Sequence, residues 1–592
     1  MKKTATINKV NSSEKYVSKK RLFLFKIIAV LIPFIILFIA EAGLHLFGYG
    51  HNLTLFVEDP QHKDYLVMNR YASEKFFSDT ATATIGNSEL FRKQKQPGYF
   101  RIFVLGESTT IGYPYMHNGS FHRWLQYRLM HTFPDINFEI INLSLTAVNS
   151  YTVLDFGKET VKYNPDAVLI YTGHNEYYGA LGVGSTNRIS GNAAIVKLVL
   201  ELREFRLVQL INNAINAAKK KLSSEKADKG ESLMKKMAAD QEIVYQSESY
   251  NRGIKQFENN LNDLCQLLSK NKVPVFLSNL VSNEKDLKPM VSATTGKVPS
   301  ADVVFKQANE AYANGDFDKA KHLFTKAKDL DLLRFRAPEA MNEVIKKITS
   351  NIPGVFLVDT KALFEQHSPH GILGNETLLE HVHPNLYGYA LLSEAFYQSL
   401  KQHKMIAQQW KNEMSFEQLQ HEMPVISVDS LKGAYEVMLL KQGWPFNQPI
   451  PAGYTRENSF EEQTAAALLA KKVNWNDAMN KLIEYYLKNN NIAGAQRVAE
   501  AVMLEYPYDA TFYAYAAKFS MNLNDNQKAL VYFKKAFELQ PAFEVARNLV
   551  LLYLKLDKPE QTTPYFDYLI ANNTSRTNYS LAQETMNFRF RK

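Results

Sequence analysis

The chain contains a single cysteine among its 592 residues, Cys265. An intramolecular disulfide and a cysteine-based zinc cluster are therefore both excluded. Cys265 follows the helical spacing of Phe257, Leu261 and Leu264, which predicts a buried structural thiol. Histidines and carboxylates form no metal-ligand pattern in the sequence either, so neither a metal nor a cofactor is expected.

Most of the chain has little net charge of either sign. The formal net charge is +9, but residues 1–26 contain eight Lys or Arg residues and one acid, Glu14. That segment carries +7, which leaves only +2 for the other 566 residues. A nearly neutral body offers no broad phosphate-binding surface, so nucleic acid is not expected as a partner.

A long apolar run covers residues 22–40 and is interrupted only by Lys26. Nineteen helical residues span roughly 28 Å, which is about the thickness of a bilayer core. The positive charges precede the run, which predicts a cytoplasmic basic tail (1–21) and a single-pass anchor (22–47). The rest of the chain then lies outside the cytoplasm, in the periplasm if the source is a Gram-negative bacterium. The alternative is a cleaved signal peptide, because Ala40-Glu41-Ala42 resembles a small-x-small cleavage site.

After a connector (48–97), short apolar runs alternate with helical patterns. Five of these runs predict strands, at 101–106, 138–143, 166–172, 273–278 and 355–359. This alternation is typical of a parallel sheet that helices cover on both faces. The sequence therefore predicts an α/β domain over residues 98–405, with its chemistry at the carboxyl ends of the strands.

Two insertions interrupt the α/β pattern. Residues 180–250 are helical and rich in lysine, which predicts a lid or a membrane-proximal flap. Residues 300–345 have the small and large side chains of one tetratricopeptide-like repeat, at Ala308, Ala320, Phe324 and Ala327. After the α/β domain, residues 406–470 are expected to be a linker.

The C-terminal part, residues 471–580, is predicted to form all-α tetratricopeptide-like repeats. Ala495 and Pro507 recur as Ala529 and Pro541, each 34 residues later, which is the period of this repeat. A protein partner is one candidate ligand of such a stack. The alternative is an ordinary helical bundle.

Three polar motifs follow predicted strands or open a helix. Ser108 follows the first strand in Gly106-Glu107-Ser108, where a strand-to-helix turn exposes a nucleophile. Asn175 follows the third strand, where its amide can donate to a developing oxyanion. Glu380 stands three residues before His383, a spacing at which a carboxylate can hold an imidazole toward the serine.

Together these motifs resemble the blocks of the SGNH/GDSL hydrolases: Gly-Asp-Ser, a glycine after the second strand, Gly-x-Asn-Asp and Asp-x-x-His. The resemblance covers roughly residues 98–290 and 350–400, and it extends to members that carry an N-terminal anchor and repeats. It implies a three-layer α/β/α flavodoxin-like domain. It also implies that Ser108 is the nucleophile, that His383 is its base and that Glu380 orients the imidazole. The implied oxyanion hole consists of Ser108, Ala147 and Asn175.

Three positions depart from the family pattern. Glu107 replaces the aspartate beside the serine, a neighbour and not a member of the triad. Glu380 replaces the aspartate of the triad, so the backbone must accommodate its longer side chain. Ala147 stands where the family has glycine, and its N–H can serve if its dihedral angles allow.

Other roles stay open for several of these residues. Ser108 could be an ordinary turn residue, and Asn175 could cap a helix. His381 could replace His383 as the base, although the family register favours His383. His174, next to Asn175, is expected to be a structural hydrogen-bonding residue.

These features predict a serine esterase or acylhydrolase that acts through an acyl-enzyme on an acylated lipid or glycan outside the cytoplasm. One alternative is an O-acyltransferase on exported polysaccharide, in which a sugar hydroxyl replaces water as the acceptor. Another is a non-catalytic scaffold whose repeats bind partners. Arg334 and Arg336 either bind an anionic substrate or form salt bridges within the inserted helices.

Overall fold

The computed structural model describes residues 19–186, 189, 192–222, 233–238, 242–296, 298–574 and 577–590. The predicted basic tail (1–21) lies almost entirely outside these ranges, as do parts of the predicted lid. Short 3₁₀ helices lie at Ala72–Lys75, Thr80–Thr82, Val161–Tyr163, Pro369–Gly371 and Pro559–Thr562.

The first helix, α1 (Lys19–Leu46), contains the apolar run. Its most apolar 18-residue window has a mean hydropathy of 3.0, and none of that window is buried in the protein. Among the described residues it is the one helix long and apolar enough to cross a membrane. A signal sequence has the same properties, so the anchor and its orientation stay predictions.

The predicted connector (48–97) forms a small antiparallel sheet that the sequence did not indicate. Its strands pair in the order β1-β2-β3, with the bounds β1 (Phe56–Glu58), β2 (Tyr65–Met68) and β3 (Phe91–Arg92). The ring of Phe91 lies edge-on to Phe103 of the main sheet, with ring centroids 5.5 Å apart. Residues of this segment therefore belong to the hydrophobic core of the α/β domain.

The main sheet has five parallel strands in the order β5-β4-β6-β7-β8. They are β4 (Tyr99–Gly106), β5 (Asn137–Asn142), β6 (Ala167–Tyr171), β7 (Val275–Ser278) and β8 (Val355–Val358). Each coincides with one of the predicted apolar runs, and the central strand β6 is buried along its whole length. The predicted α/β class with a parallel sheet is confirmed.

Among the described residues, twelve helices accompany the sheet and its insertions. They are α2 (Ser108–Ile111), α3 (Phe121–Thr132), α4 (Ser150–Thr160), α5 (Ala193–Leu202), α6 (Arg206–Leu222), α7 (Leu233–Ala238), α8 (Glu248–Lys270), α9 (Ala301–Ala313), α10 (Phe317–Leu330), α11 (Glu339–Asn351), α12 (Thr360–Gln366) and α13 (Leu386–Gln402). One group, α3 and α13, packs together against the sheet, and a second group, α4, α8 and α11, does the same. Two helix groups on one sheet agree with the predicted three layers, although the flavodoxin-like layering itself stays a prediction.

The described residues of both insertions are largely helical. The first contains α5, α6 and α7, and the second contains α9 and α10, which pack against each other. In the second insertion Ala308, Ala320 and Phe324 are buried together, as expected for the hairpin of a single repeat. The assignment to the tetratricopeptide class stays a prediction.

Among the described residues, the part of the chain that follows α13 forms helices and no strand. Its helices are α14 (Phe416–Glu422), α15 (Ser427–Gln442), α16 (Phe460–Leu469), α17 (Trp475–Lys488), α18 (Ile492–Glu505), α19 (Ala510–Asn522), α20 (Asn526–Leu539), α21 (Phe543–Lys555), α22 (Thr563–Ala571) and α23 (Tyr579–Phe590). From α15 onward each helix packs on the next one in the chain. Successive packed pairs are what a repeat stack requires, but they also occur in bundles, so the repeat assignment stays a prediction.

The helical region packs directly on the α/β domain beside α3. The Asn118 side chain donates to the carbonyl of Ala501 at 3.0 Å. Arg123 forms an ion pair with Glu505 at 3.2 Å, and Lys535 donates to the carbonyl of Ile136 at 2.8 Å. Part of the surface of the C-terminal helices is thus occupied within the chain, and the predicted protein partner stays a prediction.

Candidate active site

The order of the strands brings three loops together. β5, β4 and β6 are neighbours in the sheet, and all three run in the same direction. Ala147, Ser108 and Asn175 follow these strands, one after each. The carboxyl ends of parallel strands meet at one edge of the sheet, so the three residues line a common cavity.

Ser108 is the first residue of the short helix α2, immediately after the turn that ends β4. A methyl group on Gly106 would overlap the carbonyl oxygen of Tyr171 and the side chain of Thr110. Glycine therefore permits β4 and β6 to approach this closely just before the turn at Ser108. The sharp turn leaves the Ser108 hydroxyl half-buried at the strand end, facing the cavity.

The Ser108 hydroxyl lies 2.8 Å from Nε2 of His383, although 275 residues separate the two in sequence. The other ring nitrogen, Nδ1, contacts a carboxylate oxygen of Glu380. The Glu380 side chain is completely buried, and His383 is nearly so. This is the serine–imidazole–carboxylate order that activates a hydroxyl group.

Glu380 contacts two imidazoles and not one. One carboxylate oxygen is bound to Nδ1 of His383 and the other to Nδ1 of His381. His381 also lines the cavity, but the structure records no contact between it and Ser108. The longer side chain of glutamate is accommodated in this way, between two histidines that the sequence offered as alternatives.

These same three residues are a group whose metal-ligating atoms lie within 4.8 Å of one another. Both imidazole Nδ1 atoms are directed at the carboxylate oxygens themselves. A hydrogen-bonded carboxylate between two imidazoles satisfies each of these atoms without a cation. The donor set therefore fits the orienting role of Glu380 better than a metal site.

Glu107, which the sequence presented only as a neighbour of the serine, holds the Asn175 loop in place. Its buried carboxylate accepts hydrogen bonds from the Thr172 hydroxyl at 2.7 Å and from the Gly173 and Asn175 N–H groups at 2.9 Å each. Burial raises the pKa of Glu107 to about 7, and these hydrogen bonds oppose that rise. An acidic residue beside the motif serine was the available signal for this role.

We expect kcat/KM to fall as the pH is lowered through about 7, because Glu107 becomes protonated there. Burial lowers the pKa of His383 below the ordinary imidazole value, so we expect His383 to titrate at a lower pH than Glu107. Glu107, with a pKa of about 7, is protonated as the pH falls through that value, and the Asn175 loop then loses an acceptor. A pH–rate profile on one soluble ester should therefore decline below about pH 7.

Repeating the pH–rate profile at a second temperature shows whether the titrating group is the Glu107 carboxyl or the His383 imidazole. Carboxyl pKa values change little with temperature, whereas imidazole pKa values fall on warming. The decline in kcat/KM should therefore keep its position when the profile is repeated at a higher temperature. A decline that moves toward acid on warming would assign it to His383 and contradict the prediction.

Ala147 has a backbone φ of +59°, in the left-handed region where the resembled family has glycine. Its carbonyl accepts the N–H of Ala180 at 2.9 Å, which holds this backbone in the loop. For an L residue this conformation costs roughly 1–2 kcal/mol. Ala147 thus adopts the left-handed conformation that glycine takes without strain, and the alanine side chain makes this conformation unfavourable.

Ala147→Gly should raise the free energy of unfolding by on the order of 1 kcal/mol, because glycine adopts this φ without strain. Ala493→Gly is the matched control, since Ala493 is an exposed residue of α18 and glycine destabilises helices. Urea unfolding of both variants should give midpoint shifts of opposite sign. A lower midpoint for Ala147→Gly would contradict the strain argument.

The cavity above Ser108 has a volume of about 230 Å³. Its wall includes apolar and aromatic side chains that the sequence did not indicate: Tyr113, Tyr178, Met234, Met237, Phe335 and Leu440. Met234 and Met237 come from the first insertion, Phe335 follows the inserted hairpin, and Leu440 comes from the predicted linker. Distant segments therefore build the wall, and no local motif marks them.

The two arginines beside Phe335 are engaged within the protein. Arg336 pairs with Asp331 at 3.0 Å, and Arg334 donates to the carbonyl of Ile243 at 3.0 Å. Both are buried, so the salt-bridge alternative for Arg336 agrees with the structure and an anion-binding role does not. His174 is also buried and accepts the N–H of Ala337, as expected of a structural residue.

No protein-family model and no curated protein matches the chain. One solved structure that matches part of it is a GDSL-like lipase from Bacteroides thetaiotaomicron, with 11% identity over 53% of this chain and 93% of that chain and a TM-score of 0.25. Another is the acetyl xylan esterase AlAXEase, with 12% identity, 51% and 100% coverage and a TM-score of 0.26. A third is the psychrotrophic esterase EstA from Pseudoalteromonas sp., with 13% identity, 51% and 97% coverage and a TM-score of 0.24. These identities and TM-scores are too low to assign an activity.

Proposed function

We propose that this chain is a serine hydrolase of acyl esters. The observation that carries the proposal is the hydrogen bond of 2.8 Å between the Ser108 hydroxyl and His383 Nε2, with Glu380 on the opposite ring nitrogen. The arrangement opens into a cavity large enough for a small acyl group. A merely structural serine would have no need of a buried imidazole and carboxylate in this order.

In the first step His383 Nε2 takes the hydroxyl proton of Ser108 while Oγ attacks the ester carbonyl carbon. The carbonyl oxygen becomes an oxyanion, and the proton then passes from His383 to the leaving alcohol as the C–O bond breaks. In the second step water loses a proton to His383 and attacks the acyl-serine. The acid departs and the proton returns to Ser108, while Glu380 stabilises each imidazolium.

The oxyanion is proposed to bind the Ser108 and Ala147 N–H groups and the Asn175 side-chain amide. All three residues line the same cavity, which supports this assignment. Asn175 is fixed through its backbone, whose N–H donates to Glu107 and whose carbonyl accepts the N–H of Gly179, and its side-chain amide is proposed to donate to substrate. Donors in place before the reaction stabilise the charge that develops in the transition state.

The apolar wall of the cavity supports an acyl chain as the bound part of the substrate. Tyr178, Met237, Phe335 and Leu440 offer hydrocarbon and ring surfaces, and the buried arginines nearby are already paired or bonded to carbonyls. The alcohol part would leave through the open side. An acylated lipid or glycan outside the cytoplasm fits these requirements.

A fluorophosphonate probe tests the proposal on the full-length protein in detergent. It should label the wild type at Ser108, because the probe reacts only with an activated serine. A panel of acyl esters of increasing chain length, together with acetylated glycans, should then show release of free acid. Absence of labelling, with the chain folded, would refute the proposal and favour a non-catalytic scaffold.

The proposed location makes a prediction about topology. A fluorescent protein that matures only in the cytoplasm should be dark when fused after residue 592 and bright when fused to the N-terminus. Membrane fractionation should retain the intact chain. The opposite fluorescence pattern would overturn the orientation, and a soluble product beginning near Gly43 would indicate cleavage.

A further inference from the structure

The first insertion exposes large apolar side chains to solvent on its first two helices, α5 and α6. On α5, Ile195, Leu198 and Leu202 are exposed at a spacing of three and four residues, which places them on one side of the helix. The opposite side, which contains Val196 and Leu200, is buried in the protein. Leu198 is 55% exposed, far more than a core-facing leucine.

Exposed apolar side chains are also present on α6 and at the joint between the two helices. Phe205 joins the two helices and is exposed, and Ile211 and Ile215 follow on α6 at a spacing of four residues. Ile211 is 52% exposed. We call Ile195, Leu198, Leu202, Phe205, Ile211 and Ile215 the α5–α6 apolar face. Exposed apolar surface of this extent on a folded domain marks an interaction site.

The polar side of α6 is attached to the segment that follows α1. The Gln209 side chain accepts the N–H of His51 at 2.9 Å. Asn212 donates to the carbonyl of Ser78 at 3.0 Å. These contacts fix the rotation of α6 about its axis, so the apolar face is held outward.

The start of α6 is joined to the end of α1. The Glu41 carboxylate accepts the N–H groups of Arg206 and Leu207, both at 2.8 Å. Glu41 is the first residue after the apolar run 22–40 and lies in the last turns of the predicted anchor (22–47), so it is near the boundary of the hydrocarbon layer if α1 spans the membrane. The helix α6 therefore begins at the level where α1 leaves the bilayer.

We propose that the α5–α6 apolar face lies in the outer interface of the membrane that α1 spans. Its side chains would enter the boundary between headgroups and acyl chains, as those of amphipathic interfacial helices do. Lys219 and Lys221 are exposed at the end of α6, where they can contact anionic headgroups. The continuity of this face with α1 at Glu41 is what selects a lipid leaflet as the occupant.

The position of α7 extends the proposal to the substrate. Met234 and Met237 of α7 line the cavity above Ser108, and α7 belongs to the same insertion as α5 and α6. The Thr186 N–H bonds to the carbonyl of Met237 at 3.0 Å, which ties α7 to the start of the insertion. An ester carried in the membrane would then reach the cavity along this insertion. This part rests on the proposed function.

Single-cysteine labelling tests the membrane contact without any use of catalysis. Cys265 is buried, and burial raises its pKa to about 12, so it will not compete for a thiol label. Ile211→Cys and Leu198→Cys would carry an environment-sensitive fluorophore in full-length protein in anionic phospholipid nanodiscs. Leu551→Cys is the control, since Leu551 is exposed on α21 in the C-terminal helices.

Lipids with a nitroxide near the headgroup should quench the labels at 198 and 211 at least threefold more than the label at 551. Equal quenching at the three positions would overturn the proposal. A third outcome is weak quenching at all three positions together with a blue shift of the label emission that grows with the number of chains per disc. This outcome would show that the α5–α6 apolar face binds a second copy of the chain, and it would also overturn the proposal. None of these readings depends on whether the chain is a hydrolase.

Hydrolysis tests the extension to substrate. A variant with Ile211→Glu and Ile215→Glu should lose at least tenfold in the hydrolysis of an ester embedded in vesicles and stay within about twofold on a soluble short-chain ester. Val303→Glu, at an exposed position of α9, is the control and should affect neither. Unchanged vesicle hydrolysis would refute the membrane-borne substrate, whereas the labelling result would still decide the membrane contact. No hydrolysis by the wild type would refute the proposed function alone.

Discussion

Ser108→Ala should lower kcat/KM on a soluble ester by at least about a thousandfold. Removal of a triad nucleophile costs this much because the remaining groups can only bind substrate and stabilise the oxyanion. The fold should tolerate the change, since the Ser108 side chain is half-buried and its recorded hydrogen bond is the one to His383. Fluorophosphonate labelling should disappear together with turnover.

Ser144→Ala is the matched control. Ser144 is a buried serine at the same edge of the sheet, and its hydroxyl has no hydrogen-bond partner among the described residues. Loss of its hydroxyl should change kcat/KM less than about threefold. If Ser108→Ala kept near-normal turnover while it remained folded, the nucleophile assignment would be wrong.

Glu380→Gln should reduce kcat by a factor on the order of a thousand to ten thousand, with a small effect on KM. The carboxylate now accepts from Nδ1 of both His381 and His383. A glutamine has one accepting oxygen and one donating nitrogen, so it can satisfy one imidazole but must donate to the other. His383 could then adopt the wrong tautomer, with its proton on Nε2, although the shape of the site is preserved. Steady-state kinetics on one soluble ester measures the effect.

Three further variants locate the cause of that loss. Glu380→Asp keeps the charge but shortens the reach to two histidines, so its activity should lie between wild type and Glu380→Gln. His383→Ala should be as severe as loss of the nucleophile, and His381→Ala should be milder, because His383 Nε2 is the atom that contacts Ser108. If Glu380→Gln had the kcat of the wild type, Glu380 would have no catalytic role and the enzyme would act through a Ser108–His383 dyad. If His381→Ala abolished turnover while His383→Ala retained most of it, the general base would be His381 and not His383.

The sheet was predictable because its signal is local. Each strand of the main sheet is a short run rich in apolar residues, since helices cover both faces of a parallel sheet and its inner strands β6 and β7 are buried along their whole length. β6 reads Ala-Val-Leu-Ile-Tyr and is buried throughout. The small sheet β1–β3 was missed for the opposite reason, because its strands are only two to four residues long and partly exposed.

The polar centre of the site was also predictable in outline. Ser108 and Asn175 each follow a strand, and parallel neighbours put such residues at one edge. The spacing of the motifs in the sequence does not predict which side chains form hydrogen bonds with one another. That Glu380 would bridge two histidines, and that Glu107 would hold the Asn175 loop, depends on side-chain directions set by packing.

The amino-acid sequence by itself determined the apolar N-terminal helix, the α/β class with its parallel sheet, and the candidate residues Ser108, Asn175 and His383, because each depends on hydrophobic period or on motif spacing within a few residues. Only the tertiary structure decided which segments wall the cavity. Phe335 and Leu440 lie 227 and 332 residues from Ser108 in the chain and line the same cavity through packing alone. The structure likewise decided the left-handed φ of Ala147 and the outward direction of Ile211, because both are set by contacts with distant segments that a local pattern does not record.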